Sequence, residues 1–351
     1  MKPIKMNNTY IGEGHLPYII ADIGANHNGD MNLCRKLIDS AVSCGVNVVK
    51  FQSFTTENLI SLPLYEKHLT YPGDEHKHFG SLYEMVKEYS LTPKEYEEIL
   101  SYCQKKHIAF ASTPFDTKTA DLLDKLDVPF FKIASMDVTN HPLLEYVATK
   151  GKPVILSTGM ATLWEIDQAM EILRGGKIDT VLLHCISVYP PKYEDINLKN
   201  IEMLRKTFGV HVGFSDHSVG TSLSVAAVSF GACIIEKHFT LDKTLPGWDH
   251  SISADPVEME YIVKEVKNVF HAVGQYERVV GTYEIEKRKE FRRSIVARTN
   301  LAKGQVLTEK DLAYKRPEEG GILPLKYKDL IGRKLVRSIK KDQQITSSHL
   351  L

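Results

Sequence analysis

Lysines, carboxylates, histidines and hydroxyls stand inside or directly after short apolar runs of this sequence, where an unpaired charge is costly to bury. Asp22, Asn26 and His27 follow the first such run, and Lys50 and Gln52 lie within the next. Ser112 and Thr113 end a third, while Lys132, Ser135 and Asp137 end or follow a fourth. Then come Ser157 and Thr158, His184 with Ser187 and Tyr189, Ser215 with Asp216 and His217, and finally Glu236, Lys237 and His238. A spacing of two puts Lys50 with Gln52, Ser215 with His217, and Glu236 with His238 on one face of an extended strand. One such residue could serve structure alone; run after run carrying them points to a polar ligand site. Two lysines, several hydroxyls and few arginines suit a phosphate plus a carboxylate held partly by hydroxyl and backbone donors. His217 and His238 end neighbouring runs, so their imidazoles can converge on one divalent cation, leaving open positions for water and carboxylate oxygens. That pair is read as a metal site rather than as two packed histidines.

These groups must be positioned by strands that meet at one end. The β-branched runs fall at 18–25, 47–54, 108–115, 130–135, 154–159, 180–187, 211–217 and 233–240. Segments of helical period separate most of them, as at 31–43, 93–106, 117–126 and 163–173. Thr92, Pro93 and Glu95 mark a helix start, and Gly45 a helix stop. Strands alternating with helices over this length predict a (β/α)8 TIM barrel, whose active site forms at the C-terminal strand ends. A doubly wound sheet in its usual dinucleotide role would carry a glycine fingerprint after an early strand, and the sequence has none.

The interval between the second and third runs is long and holds Tyr65, Tyr71, His76, His78 and Phe79. It is placed to form either a wall or lid over the strand ends or a disordered surface loop, with His76 and His78 as solvated residues rather than ligands. Beyond about residue 275 the texture changes. A charged stretch at 281–293 precedes a small unit with turns around Gly304, Gly320, Gly321 and Gly332. The expected division is a barrel at 1–280, a linker at 281–289 and a small β-rich domain at 290–351.

The 44 Lys and Arg residues balance 44 Asp and Glu residues, which argues against a dedicated nucleic-acid or polybasic membrane binder. The five cysteines are scattered without a C-x-x-C pair, so neither a disulfide framework nor a zinc site is expected. Cys185 and His184 are adjacent in a strand and face opposite ways, which argues against a catalytic dyad. No apolar run approaches the ~20 residues that span a bilayer. Residues 1–8 lack the apolar core of a signal peptide, so a cytoplasmic location is expected.

The runs Ile20-Ala21-Asp22-Ile23-Gly24-Ala25-Asn26-His27-Asn28-Gly29, Val49-Lys50-Phe51-Gln52 and Phe131-Lys132-Ile133-Ala134-Ser135 resemble the N-acetylneuraminate (sialic acid) synthase family. So do His184-Cys185 with Tyr189-Pro190, Gly213-Phe214-Ser215-Asp216-His217-Ser218 and Glu236-Lys237-His238-Phe239-Thr240. The C-terminal unit is similar to the antifreeze-like (SAF) domain of those synthases, so the resemblance covers nearly the whole chain. It implies condensation of phosphoenolpyruvate with an N-acetylated amino-sugar aldehyde and water, giving a nonulosonic acid and phosphate. It implies that Lys50, Gln52, Thr113, Lys132, Ser135, Ser157, Ser187 and Ser215 hold phosphoenolpyruvate. His217 and His238 would hold Mn2+ or Mg2+, and Tyr189 and Asp249 would contact the sugar. Arg316 would reach the partner's site in a domain-swapped homodimer.

Asp22 and Asp137 complete the expected catalytic set with the two histidines, but both stand where the family usually has glutamate. Each carboxylate is thereby retracted by roughly one C–C bond, ~1.5 Å. Ser187 likewise replaces an asparagine. N-acetylmannosamine is the first acceptor expected; a diacetamido-trideoxyhexose, giving legionaminic- or pseudaminic-type acids, and a sugar 6-phosphate are the alternatives. Other chemistries are a Schiff-base aldolase built on Lys132 or Lys237 and the sugar-phosphate condensation of the aromatic-pathway synthases. An ice-binding role is disfavoured by the charges scattered through the C-terminal unit.

Overall fold

Runs that are apolar on both faces form strands buried on both sides, as in a parallel sheet wrapped by helices. In a computed structural model, which describes residues 1–68, 81–317 and 321–351, eight such strands form one parallel sheet. They are β1 (Tyr18–Gly24), β2 (Val48–Ser53), β3 (Ala109–Pro114) and β4 (Phe131–Ile133). They continue as β5 (Val154–Ser157), β6 (Thr180–His184), β7 (His211–Asp216) and β8 (Ile234–His238). The hydrogen-bonded order is β3-β2-β1-β8-β7-β6-β5-β4, and β3 packs beside β4 to complete a (β/α)8 ring.

Helices follow the strands in turn. They are α1 (Met31–Cys44), α2 (Pro93–Lys105), α3 (Thr117–Lys125) and α4 (His141–Ala148). Next come α5 (Leu163–Gly175), α6 (Lys199–Phe208), α7 (Ser222–Ser229) and α8 (Pro256–Val273). The helix signals behave as their chemistry requires. Thr92 and Glu95 close a reciprocal capping box at α2, and Gly45 ends α1 at φ 79°, where a β-carbon would be strained.

Strand alternation sorts the barrel into two surfaces. Outward residues such as Ile19, Ala21, Val49, Phe131, Leu156, Val212 and Ile235 pack with the helices in one large core. Inward residues Tyr18, Ile20, Val48, Phe130, Ile155, Val181 and Ile234 form a second core at the N-terminal end. An antiparallel hairpin, Ile4–Met6 with Thr9–Ile11, plugs that end by adding Ile4, Met6 and Ile11 to the inner core. His211 Nε2 lies 2.8 Å from the Lys2 carbonyl and ties the hairpin to β7.

The observed strands stop short of several expected runs. The β4–β5 ladder ends at Ile133 against Leu156, and Ser135–Asp137 form a 3-10 turn beyond it. Ser187 and Tyr189 likewise lie past the end of β6. Apolar content continues where the hydrogen-bond ladder has already ended. Within the long interval after β2, the helices Leu62–Lys67 and Leu82–Tyr89 pack Tyr65, Leu82, Met85, Val86 and Tyr89 against Ala25 and Phe54. Tyr71, His76, His78 and Phe79 lie outside the described residues, as does Gly320.

The first compact unit is Met1–Gly274 and the second is Gln275–Leu351. The stretch expected as a linker is largely a helix, Thr282–Phe291, with no buried residue. The second unit pairs Ser294–Ala297 with Leu312–Lys315 in antiparallel fashion around Ile295, Leu301, Leu307, Leu330, Leu335 and Ile345. Among the described residues no helix is long and apolar enough to cross a membrane. The five cysteines are free and buried.

The plug makes a measurable contribution. Met6 is fully buried in the inner core, so Met6→Ala should destabilise the barrel by about 2–5 kcal/mol, read as a lower urea midpoint. An unchanged midpoint would show that the hairpin does not stabilise the ring.

Candidate active site

One step further along the inward faces, side-chain chemistry changes on most of the strands. Ile20 gives way to Asp22, Val48 to Lys50, Ala111 to Thr113 and Phe130 to Lys132. Ile155 is followed by Ser157, Gly213 by Ser215 and Ile234 by Glu236. These polar residues line a cavity of about 290 Å³ at the C-terminal end of the barrel. Gln52, Ser135, Ser187, Tyr189, His217 and His238 complete its polar wall, with Phe115, Met136 and Met160 at its apolar side.

At its floor the charges neutralise one another. Lys50 Nζ is 2.9 Å from Asp22 Oδ2 and 3.9 Å from Glu236 Oε2. Lys132 Nζ is 3.6 Å from Glu236 Oε1 and donates to Ser157 Oγ at 2.6 Å. Ser215 Oγ donates to Glu236 Oε1 at 2.8 Å. Burial acts most strongly on Glu236 and alone would raise its pKa, but Lys132, Lys50 and the Ser215 hydroxyl outweigh it and hold the carboxyl at about 2. Lys50 shows the same contest: burial pulls it down, while Asp22 and Glu236 carry it above the usual lysine value. For Lys132 burial prevails, so its pKa falls despite Glu236, with Lys50 pushing the same way.

The two histidines stand on adjacent strand ends with ring centroids 5.6 Å apart. His217 Nδ1 lies 2.8 Å from the Ile186 carbonyl, which fixes Nδ1 as the protonated nitrogen and leaves Nε2 with a lone pair. Burial, with His238 adding to it, pushes His217 down to about 4, so the imidazole is neutral and able to ligate. Among the described residues His238 Nδ1 has no hydrogen-bond partner, with Asp22 Oδ2 at 3.4 Å and Asp249 Oδ2 at 3.9 Å. Among the described residues no three His, Cys, Asp or Glu side chains already form a cation cage. The donor set is two imidazoles with open positions, which suits a divalent ion that also needs water or substrate oxygens.

The remaining expected residues divide. The Tyr189 ring lies 4.3 Å from that of His217 at a tilt of 31°, next to a cis bond to Pro190. Asp249 approaches His238 from the loop that precedes α8 but does not line the cavity. Asp137 does not line it either: Oδ1 accepts from Asn140 Nδ2 at 2.8 Å, and burial raises its pKa. Arg316 belongs to the second unit, where its guanidinium carbon lies 4.6 Å from the centre of the Phe291 ring. Glu236, expected at a strand end on the face of His238 but given no role there, sits at the electrostatic centre. Its two-residue spacing from His238 was the available signal. Cys185 packs behind the site, 3.1 Å from Ser135 Oγ and 3.2 Å from the Gly159 amide. A β-carbon on Gly159 would collide with Ser187 Oγ and stand 2.9 Å from Ser135 Oγ, so only glycine admits this approach. Of the two candidate Schiff-base lysines, Lys132 faces the cavity and Lys237 points outward, fully buried on Asp216.

A barrel with polar strand ends, two lysines and two histidines is the framework of an enzyme acting on a small anionic substrate. The chain belongs to the NeuB family, whose model matches residues 37–278, and a SAF domain matches 292–351. It is 39% identical to N,N'-diacetyllegionaminic acid synthase of Campylobacter jejuni, over 93% of this chain and 98% of that protein. It is 33% identical to human N-acetylneuraminate-9-phosphate synthase, over 96% and 93%. The structure matches that of the N-acetylneuraminic acid (sialic acid) synthetase of Leptospira borgpetersenii with a TM-score of 0.72 and 36% identity, covering 83% of this chain and 97% of that one. The chain is therefore an enzyme of the nonulosonic acid synthase class, a carbon–carbon bond-forming transferase.

Burial of imidazoles gives the fold a defined acid response. Burial pushes His27, His217 and His250 down to about 4 from the ordinary 6.5, so the unfolded chain binds more protons between those values. The stability gained by keeping them neutral is complete above pH 6.5 and is lost as pH falls through about 4. His27→Gln or His250→Gln should each remove about one proton from the slope of unfolding free energy against pH in that window. Urea unfolding at stepped pH measures it, and equal slopes would contradict the buried neutral state.

Proposed function

We propose that this enzyme condenses phosphoenolpyruvate with the open-chain aldehyde of an N-acetylated amino sugar, adds water and releases inorganic phosphate. The observation that supports this best is the cavity floor, where two buried ammonium groups and a ring of hydroxyls face one small space. Lys50 and Lys132 pair with phosphate and carboxylate oxygens, and Thr113, Ser135, Ser157, Ser187, Ser215 and Gln52 supply the neutral hydrogen bonds. Glu236 stays ionised and opposes the effect of burial on both lysines.

Carbon three of the enol attacks the aldehyde carbon, forming the new C–C bond. Water adds at carbon two, and collapse of that tetrahedral centre breaks the bond to the phosphate oxygen. Asp22 Oδ1, buried without a hydrogen-bond partner among the described residues, is the acceptor that holds this water or a sugar hydroxyl. His217 and His238 would hold Mn2+ or Mg2+, which when bound supplies Lewis-acid polarisation of the aldehyde oxygen. Tyr189 and Asp249 stand beside the two imidazoles and orient the sugar. Asp137 is assigned to holding the turn that presents Ser135, through Asn140.

The acceptor carries the amino groups of the product. The legionaminic relative makes a diacetylated acid, which favours a diacetamido-trideoxyhexose here, with N-acetylmannosamine as the second reading. Phosphate release measured over both sugars and their 6-phosphates should be fastest with the diacetamido sugar, and should vanish with chelator. Turnover that survives chelation while borohydride traps pyruvate on Lys132 would instead establish the Schiff-base route.

Assembly is proposed as a swapped homodimer in which Arg316 of one subunit serves the other's site. A unit of this size gains stability by burying surface on a partner, and its planar guanidinium can present paired donors to an acetamido group. Mixed dimers of an Arg316→Ala chain and a His217→Ala chain should recover activity, because one hybrid site keeps both groups. No recovery in verified hybrids would refute sharing.

A further inference from the structure

We infer that the Asp216–Lys237 ion pair, on the outer face of β7 and β8, is a brace that sets how His217 and His238 approach one another and hence the affinity for the divalent cation. The inference rests on the proposed metal role of the two histidines.

Asp216 and Lys237 are register partners across the β7–β8 ladder, and each directly precedes one of the imidazoles in sequence. Alternation therefore sends the ion pair outward and the imidazoles inward from the same two strand ends. Lys237 Nζ is 3.0 Å from Asp216 Oδ2, and neither side chain is exposed at all. The neighbouring outward positions, Phe214, Ile235 and Phe239, are apolar and packed on the helices. A buried ion pair among them is weak evidence for stability and better explained by what it fixes.

It fixes the backbone on both sides of His217. Asp216 Oδ1 accepts from the Ser218 amide at 2.9 Å and from Ser218 Oγ at 2.6 Å. Asp216 Oδ2 accepts from Ser224 Oγ at 2.6 Å, which ties in α7. Lys237 Nζ donates to the Ser218 carbonyl. His217 thus lies between two pinned residues, its ring held further by the Ile186 carbonyl. The same ammonium anchors the residue before His238. One network sets both sides of the imidazole pair without touching the cavity, as outer-shell partners of ligands do.

The test is Mn2+ binding to full-length, metal-stripped protein, followed by electron paramagnetic resonance of the free ion. Removing both charges together, as Asp216→Asn with Lys237→Met, leaves no unpaired buried ion. The double variant should bind Mn2+ about 10- to 100-fold more weakly, with unchanged circular dichroism and unchanged phosphoenolpyruvate affinity measured without metal. Equal Mn2+ affinity in the folded variant overturns the brace alone. A loss of phosphoenolpyruvate affinity in step with Mn2+ overturns it too, because that marks general loosening. Wild-type protein that binds no Mn2+ overturns the metal assignment and the brace with it. If the double variant does not fold, Ser224→Ala, which removes one neutral donor to Asp216, is read in the same assay. It should weaken Mn2+ severalfold, and unchanged affinity overturns the inference.

Discussion

Two lysines buried inside a barrel need carboxylates beside them to oppose the cost of burying their charge, and here Glu236 and Asp22 supply them. The Glu236 carboxylate sits between Lys132 and Lys50, with Asp22 on the far side of Lys50. Without it, burial would pull Lys132 further down and Lys50 would rest on Asp22 alone, which weakens the cavity's attraction for anions. The hydroxyls of Ser157 and Ser215 spend their hydrogen bonds on this cluster while still facing the cavity. The polar layer exists because its charges are mutually satisfied, and the apolar layer below can be dry because the hairpin closes it.

Strand periodicity made much of this legible. Lys50 with Gln52, Ser215 with His217 and Glu236 with His238 share faces as their spacing requires, because a parallel barrel leaves no freedom to rotate a strand. The same rule separates His184, which turns outward to the Ile196 carbonyl, from Cys185 beside the cavity. Capping chemistry at Thr92 and the left-handed stop at Gly45 were readable for the same local reason.

What remained illegible depends on partners distant in sequence. Asp137 looks like a strand-end carboxylate, but β4 ends four residues earlier and a 3-10 turn directs its side chain to Asn140. Glu236 reads as one acidic residue among several until folding brings Lys50 and Lys132 to it. Lys237 was a plausible nucleophile by composition, yet one residue of alternation puts it outside the ring. The hairpin at 4–11 is too short for periodicity to announce, and its role follows from which end of the barrel it meets.

The floor of the cavity is electrically balanced before any ligand arrives, with Asp22 and Glu236 set against Lys50 and Lys132. The phosphate ester and carboxylate of the proposed substrate would add negative charge for which these four side chains hold no surplus cation. A counter-ion arriving with it or already in place would then strengthen its hold, so the order in which small species assemble would respond to electroneutrality. A net cationic floor would be a trap for the inorganic anions that crowd any biological fluid. A balanced one draws such bystanders less strongly than a guest whose charge is met by the rest of the assembled complex.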